Sequence, residues 1–126
     1  MNTPARWAIK TTLLSEQNFK VGAVLAQKNK IFSLAANTGN SHPRGAGTFQ
    51  SSHAEIRCLL KYLRLNQQTL PKATLLYVAR VSKTGKLGLA RPCHDCMTMI
   101  QSVGIKKIWY TTSEGWRSEK FYERHH

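Results

Sequence analysis

Acidic residues are scarce in this sequence. Its 126 residues include 19 lysines and arginines but only 6 aspartates and glutamates, so the formal net charge is +13 at pH 7. The basic residues are spread along the chain, as they would be on an ordinary solvated surface. The same charge would attract a phosphate-bearing substrate or a nucleic acid as partner, so charge alone leaves these interpretations open.

Cysteines and long apolar runs are also few. The chain has 3 cysteines, two of them in C-x-x-C spacing, which fits reduced thiols in the cytoplasm better than a disulfide framework. No segment approaches the roughly 18 consecutive apolar residues of a membrane span, and no secretory-type apolar run follows Met1. We therefore predict one cytoplasmic domain over residues 1–126 that does not bind membranes.

The order of the predicted elements indicates an α/β fold. No internal repeat, linker or low-complexity segment interrupts the chain. Strands followed by alternating helices and strands predict a layered α/β domain. The pattern predicts helices over 4–17, 52–65, 92–103 and 114–122, and strands over 20–27, 30–36, 73–81 and 106–111.

Two short segments, His53-Ala54-Glu55 and Pro92-Cys93-His94-Asp95-Cys96, carry most of the functional information. His53, Cys93 and Cys96 offer three nitrogen or sulfur ligands, which would leave the fourth position of a tetrahedral Zn²⁺ open for water. Such a water supplies hydroxide near neutral pH. Glu55 is poorly suited as a ligand but could move protons, so the combination indicates a hydrolytic enzyme.

The helical spacing predicts that these ligands meet. His53 continues the apolar stripe of its helix, and Cys93 and Cys96 share one face of the later helix. Two such helices, packed side by side on one face of a sheet, would bring their first turns together. The partial positive charge of the helix N-termini would favour thiolates there.

Each element of the site has an ordinary structural alternative. Glu55 lies three residues after Ser52, in the spacing of a capping box. The cysteines could belong to a redox pair, or to a closed structural zinc site with Cys58, His42 or His94 as fourth ligand. Cys58 lies roughly 140° around the helix from His53, so it is expected to be a core cysteine.

The pattern H-A-E followed by P-C-x-x-C resembles the zinc-dependent cytidine and deoxycytidylate deaminase superfamily. The likeness runs over residues 19 to 112 and includes the segments 21–25 and 105–110 and the residue Asn37. It implies a three-layer fold with a central mixed sheet flanked by helices. It also implies a Zn²⁺ cofactor, Glu55 as the proton carrier and a homo-oligomeric assembly.

The resemblance implies a reaction as well. A cytosine nucleoside or nucleotide (cytidine, deoxycytidine, CMP or dCMP) would be converted to the uracil form with release of ammonia. One alternative is a base deaminase that acts on single-stranded DNA or RNA (cytosine or tRNA adenosine). The basic charge and the late aromatics Trp109, Tyr110, Trp116, Phe121 and Tyr122 suit it, although they could simply pack. A noncatalytic zinc-stabilised binding module is a second alternative.

Four residues are candidates for substrate binding. The resemblance implies that Asn37 hydrogen-bonds the base or sugar and that the backbone N–H of Ala54 holds the base carbonyl. Asn37 also suits an ordinary turn. His42, in the loop before the first motif, could touch the substrate. Arg91 could recognise a phosphate or carbonyl group, or be a surface arginine.

The sequence departs from the family pattern between residues 82 and 91. Relatives pass almost directly from the strand into P-C-x-x-C, whereas this chain inserts a segment with a turn at Thr84-Gly85. We predict an extra hairpin near the mouth of the site. This departure weakens any transfer of substrate choice from the family.

Overall fold

The structure, a computed structural model, describes residues 2–38, 53–66 and 70–121. Within these ranges the helices are α1 Thr3–Thr11, α2 Ala54–Asn66 and α3 His94–Ser102, with a short 3₁₀ turn Thr12–Leu14 after α1. The strands are β1 Lys20–Gln27, β2 Lys30–Ala36, β3 Leu75–Val81, β4 Leu87–Gly88, β5 Lys107–Thr112 and β6 Gly115–Lys120.

The strands form one mixed sheet in the order β2-β1-β3-β5-β6. Strands β3 and β5 run parallel, whereas the other described pairs are antiparallel. The short strand β4 pairs with the last two residues of β3, beyond the segment that pairs with β5. The predicted mixed sheet is therefore confirmed.

Successive side chains of the central strands point alternately into two apolar clusters, one on each face of the sheet. Leu76 and Val78 of β3 face the larger cluster, which also contains the buried sides of α2 and α3. Tyr77 and Ala79 face the smaller cluster under α1. Because successive side chains of a strand point to opposite faces, helices cover both sides of the sheet, as the predicted three layers require.

The first helix is shorter than predicted. It ends at Thr11 and not at Gln17, and the chain continues as the 3₁₀ turn. The Thr11 hydroxyl donates to the Trp7 carbonyl at 2.6 Å, a side-chain bond of the kind that competes with helical geometry. Trp7 on the helix and Leu14 in the 3₁₀ turn are 42% and 66% exposed.

The helix predicted over 114–122 is wrong, because Gly115–Lys120 of this segment forms β6 and pairs antiparallel with β5. A tight turn joins the two strands: the Thr112 hydroxyl donates to the Gly115 carbonyl at 3.0 Å and accepts from the Glu114 amide at 3.1 Å. Gly115 has a φ of +123°, which few side chains tolerate. A strand here places Trp116 and Glu119 on opposite faces of the sheet.

Most of the late aromatic residues pack inside the fold. Trp109 stacks with Tyr77 at 6.5 Å between ring centroids, and Trp116 meets Tyr77 edge-on at 6.1 Å. Tyr110 is buried on the other face of the sheet, and Tyr122 lies outside the described residues. The described rings thus serve packing, as the simpler interpretation predicted. None of the α-helices in the described ranges has the length and apolar character needed to cross a bilayer.

Candidate metal centre and its cavity

Three predicted ligands meet where two helices begin. His53 immediately precedes α2, Cys93 caps the start of α3, and Cys96 lies in the first turn of α3. Their ligand atoms all lie within 4.8 Å of one another, and His53 Nδ1 is 3.2 Å from Cys96 Sγ. Both helices pack on the same face of the sheet, as the helical spacing predicted.

This geometry suits a zinc ion. With zinc–ligand bonds of about 2.0 to 2.3 Å, the ligand atoms of a tetrahedral site are roughly 3.5 to 3.8 Å apart. No further histidine, cysteine or carboxylate of the described residues joins the cluster. His94 is exposed on α3, and the third candidate for a fourth ligand, His42, lies outside the described residues. The donor set therefore fits zinc with three protein ligands.

Cys58 faces away from the metal cluster into the core. It is fully buried, and its thiol donates to the Ser33 carbonyl at 3.4 Å. The Ser33 hydroxyl in turn donates to the Cys58 carbonyl at 3.0 Å. Burial raises the pKa of the Cys58 thiol to about 12. The prediction of a core cysteine is confirmed.

The carboxyl group of Glu55 lies beside the metal cluster without belonging to it. The residue is only 7% exposed, and burial raises its pKa above the ordinary value of 4.5. Its own backbone N–H and the charge of His53 oppose this rise. A carboxyl group whose pKa is raised towards neutrality is suited to accept and return protons. The partner for a capping box, Ser52, lies outside the described residues.

Burial dominates the environment of Cys96. It raises the pKa of this thiol well above its usual range, and the negative charge of Glu55 acts in the same direction. The effect of the helix N-terminus on the thiols stays a prediction. A bound zinc ion deprotonates a coordinating thiol outright, so metal binding would reverse the effect of burial.

A cavity of about 310 Å³ reaches the cluster at His53. We call the lining residues His53, Ala54 and Glu55 at the start of α2 its floor, and the lining residues Arg80, Leu89, Ala90 and Arg91 its rim. The cavity also brings Asn37 together with these residues, so the structure gathers every described residue predicted to bind substrate. His42 lies outside the described residues.

A sequence model of the cytidine and deoxycytidylate deaminase zinc-binding region matches residues 4–112. The chain belongs to this deaminase family. The solved structure of cytidine deaminase from Mycobacterium leprae is similar, with a TM-score of 0.55 and 19% identity over 90% of this chain and 87% of that one. At this identity the similarity shows the shared fold. No curated protein matches the chain.

In this deaminase-family chain, Asn37 stabilises the fold as well as lining the cavity. Its Oδ1 accepts from the Val21 amide at 2.9 Å, and its Nδ2 donates to the Phe19 carbonyl at 3.0 Å. The side chain thus continues the hydrogen bonding between β1 and β2 beyond the end of β2. Contact between Asn37 and a substrate stays a prediction.

Ala54 begins α2 and is fully buried at the floor of the cavity. The first amides of a helix have no acceptor within the helix. An amide at this position is therefore suited to hold a base carbonyl beside Glu55.

Arg91 is held by an acidic partner that the sequence analysis did not foresee. Its Nε and Nη2 donate to the two carboxylate oxygens of Glu119 at 2.7 and 2.8 Å. The Tyr110 hydroxyl adds a third hydrogen bond to Glu119 at 2.9 Å, and the hydrogen bond from Arg91 is the main cause that lowers the pKa of Glu119. Glu119 comes from β6, the segment predicted to be a helix, so this pair was hidden from sequence reasoning.

The predicted extra hairpin is present. Strand β4 returns antiparallel against β3, with Gly88 opposite Arg80, after a turn in which Gly85 has a φ of +89°. Buried Thr111 of β5 ties the strands together, because its hydroxyl donates to the Gly88 carbonyl at 2.8 Å and accepts from the Arg80 amide at 3.0 Å. The chain then runs through Leu89 and Ala90, which line the cavity.

Sequence reasoning missed one arginine of the cavity, Arg80. Its guanidinium lies 4.4 Å from the centre of the Phe19 ring. The available signal was the alternation along β3: Leu76 and Val78 face the helices that carry the site, so Arg80 must face the same way.

Proposed function

We propose that this chain is a zinc-dependent hydrolytic deaminase that acts on a cytosine nucleoside or nucleotide. Cytidine, deoxycytidine, CMP or dCMP would react with water to give the uracil form and ammonia. One observation carries the proposal: three candidate zinc ligands lie within 4.8 Å of one another, and one of them, His53, lines a cavity together with the buried residue Glu55. The family match supports the same chemistry.

Each group at the floor has a task in this reaction. Zinc held by His53, Cys93 and Cys96 would activate water near neutral pH. Glu55 would accept a proton as water attacks the C4 carbon of the base, and would return protons to the ring nitrogen and the departing amine. The Ala54 N–H would hold the base carbonyl.

The cavity supports a small substrate. Its volume of about 310 Å³ lies at the lower end of the usual range for small-molecule sites. Leu89 and Ala90 line the same cavity as Glu55, and their side chains would help to exclude bulk water from the reacting base.

A second candidate function, deamination of single-stranded DNA or RNA, is favoured by one observation. A cavity of about 560 Å³ adjoins the site at Asn37 and Thr38, and Arg57, Lys61 and Arg64 of α2 line it. Three basic residues along one stripe of a helix suit a phosphodiester backbone. The tryptophans that could have stacked bases, Trp109 and Trp116, are partly buried against the smaller cluster on the opposite face of the sheet, so a free nucleoside or nucleotide remains the first choice.

Ammonia release tests the proposal. Zinc-loaded protein would be incubated separately with cytidine, CMP, dCMP, adenosine and a single-stranded oligonucleotide, with Glu55→Gln as the matched control. We expect ammonia from at least one free cytosine substrate and none from the control. Release from the oligonucleotide alone would select the second candidate. No release from any substrate at full zinc occupancy would support the binding module and refute an enzymatic role.

Two further properties stay predictions. Cysteine usage predicts a cytoplasmic setting, and the family resemblance predicts a homo-oligomer. Size-exclusion chromatography with light scattering would measure the molar mass of the protein and thereby its oligomeric state.

A further inference from the structure

We infer that Arg80 binds a phosphate group of the substrate, so that the preferred substrate is a nucleotide and not a nucleoside. The inference rests on the proposed function, because it assigns a substrate class to the same cavity. Arg80 lines this cavity together with Glu55 and His53.

Arg80 is held in position by two contacts. Phe19 presents its ring to the guanidinium at 4.4 Å, and this ring is itself 56% exposed at the surface. On the opposite strand, a Cβ built on Gly88 would lie 3.6 Å from Arg80 Cδ, so the aliphatic stem of Arg80 packs against β4. A guanidinium fixed in this way loses less conformational entropy when it binds a ligand.

Arg80 also lacks an acidic partner among the residues that the structure describes. Arg91, at the same rim, has both carboxylate oxygens of Glu119. Two arginines therefore border one cavity, but the charge of Arg91 is compensated by Glu119, whereas no carboxylate of the described residues forms an ion pair with Arg80. A guanidinium offers paired N–H donors that match a phosphate group, and such charge-assisted bonds are stronger than neutral ones.

The inserted hairpin explains why this arginine reaches the cavity. Arg80 lies where β3 pairs with β4, and the hairpin returns the chain to the rim at Leu89 and Ala90. The phosphate could belong to a mononucleotide or to a phosphodiester next to a cytosine in a single strand. The chemistry of recognition is the same, and the experiment separates the two sources.

The test compares substrates with and without phosphate. In Arg80→Gln we expect kcat/KM for CMP to fall roughly 10- to 100-fold, as for loss of a hydrogen bond between charged groups, and kcat/KM for cytidine to stay within about twofold. Arg6→Gln is the control, because it removes the same charge from exposed Arg6 on α1, across the sheet from the cavity. Equal losses on cytidine and CMP, or no loss on either CMP or a single-stranded oligonucleotide, would overturn the inference.

A binding measurement separates this inference from the proposed function. Calorimetric titration of CMP into the Glu55→Gln protein, and into the same protein carrying Arg80→Gln, needs no turnover. We expect the double variant to bind CMP at least tenfold more weakly than the Glu55→Gln protein. We also expect inorganic phosphate to compete with CMP for binding to the Glu55→Gln protein but not to the double variant. Equal affinities would refute phosphate binding by Arg80 even if the enzyme is active. Weaker CMP binding would support it even if no ammonia is released.

Two more variants protect the test. If Arg80→Gln does not fold, Phe19→Leu removes the ring and should raise KM for CMP more than for cytidine, while a uniform effect would count against the inference. Arg80→Lys keeps a point charge and should restore part of the CMP activity. A loss confined to an oligonucleotide substrate would assign the phosphate to a nucleic-acid strand.

Discussion

The floor and the rim of the cavity are built in different ways. The floor and the adjoining metal cluster contain His53, Glu55, Cys93 and Cys96, which come from two short segments at the starts of two helices. The rim, formed by Arg80, Leu89, Ala90 and Arg91 with their partners Phe19 and Glu119, comes from six positions joined by strand pairing and a hairpin. Under the proposed function, the reaction chemistry would therefore depend on local motifs, whereas substrate selection would depend on contacts between distant parts of the chain.

The floor and the rim also differ in what shifts the pKa values of their ionisable groups. At the floor and in the adjoining metal cluster, burial is the main cause that raises the pKa of Glu55 and of Cys96. At the rim, the main cause that lowers the pKa of Glu119 is a hydrogen bond from exposed Arg91. Substitutions at the floor should therefore have large effects on zinc binding and turnover, and substitutions at the rim smaller effects on stability and substrate preference.

The largest effect is expected for Cys96→Ala. Loss of one thiolate should remove stoichiometric zinc, abolish turnover and lower the melting temperature, because binding of a structural or catalytic metal is coupled to folding. Cys58→Ala is the matched control, since Cys58 bonds to Ser33 and not to the cluster. Metal analysis and thermal denaturation would be carried out on both variants. Full zinc content in Cys96→Ala would contradict the assigned ligand set.

The next effect is expected for Glu55→Gln. The amide keeps the shape of the side chain but cannot accept a proton, so kcat should fall by roughly 10²- to 10⁴-fold while zinc stays bound. Metal content and ammonia release on the same preparation test this. Turnover close to wild type would remove Glu55 from the mechanism, and loss of zinc would make it a ligand.

At the rim, Thr111→Val should destabilise the protein by about 1 to 3 kcal/mol, because it leaves the Gly88 carbonyl and the Arg80 amide without their hydroxyl partner. Thr98→Val is the control, since Thr98 is exposed on α3 and its loss should change stability by less than about 0.5 kcal/mol. Urea denaturation compares the two. Equal stabilities would show that β4 does not depend on Thr111.

The smallest effect is expected for Glu119→Gln. The pKa of Glu119 is lowered in the folded protein, so its stabilising contribution is present above its ordinary pKa of 4.5 and is lost as the pH falls through the lowered value. Because Arg91 and Glu119 are 48% and 33% exposed, the contribution at pH 7 is at most about 1 kcal/mol.

Urea denaturation at pH 7 and at pH 3 measures this difference. Glu119→Gln should be less stable than wild type at pH 7, and this deficit should be smaller at pH 3. Glu114→Gln serves as control, because Glu114 is 83% exposed and only 3.9 Å from its partner Arg117. A pH-independent deficit in Glu119→Gln would assign the effect to packing.

The sequence predicted the floor well and the rim poorly, for a physical reason. Helical periodicity places His53 and Cys96 on inward faces, so their meeting could be expected from spacing alone. The helix predicted over 114–122 failed because pairing with β5 and the turn at Gly115 override a weak local preference. With that strand assigned as a helix, neither the pairing of Arg91 with Glu119 nor the isolation of Arg80 could be predicted.

The burial of Cys58 has a practical consequence. A thiol with a pKa of about 12 and no accessible surface does not react with alkylating reagents at neutral pH. In the folded protein, labelling with iodoacetamide would therefore report only on exposed Cys93, because Cys96 is also buried and its pKa is also raised. The stoichiometry of modification would then give the fraction of protein without bound zinc. Cys58 would react only once the chain unfolds and would therefore report unfolding.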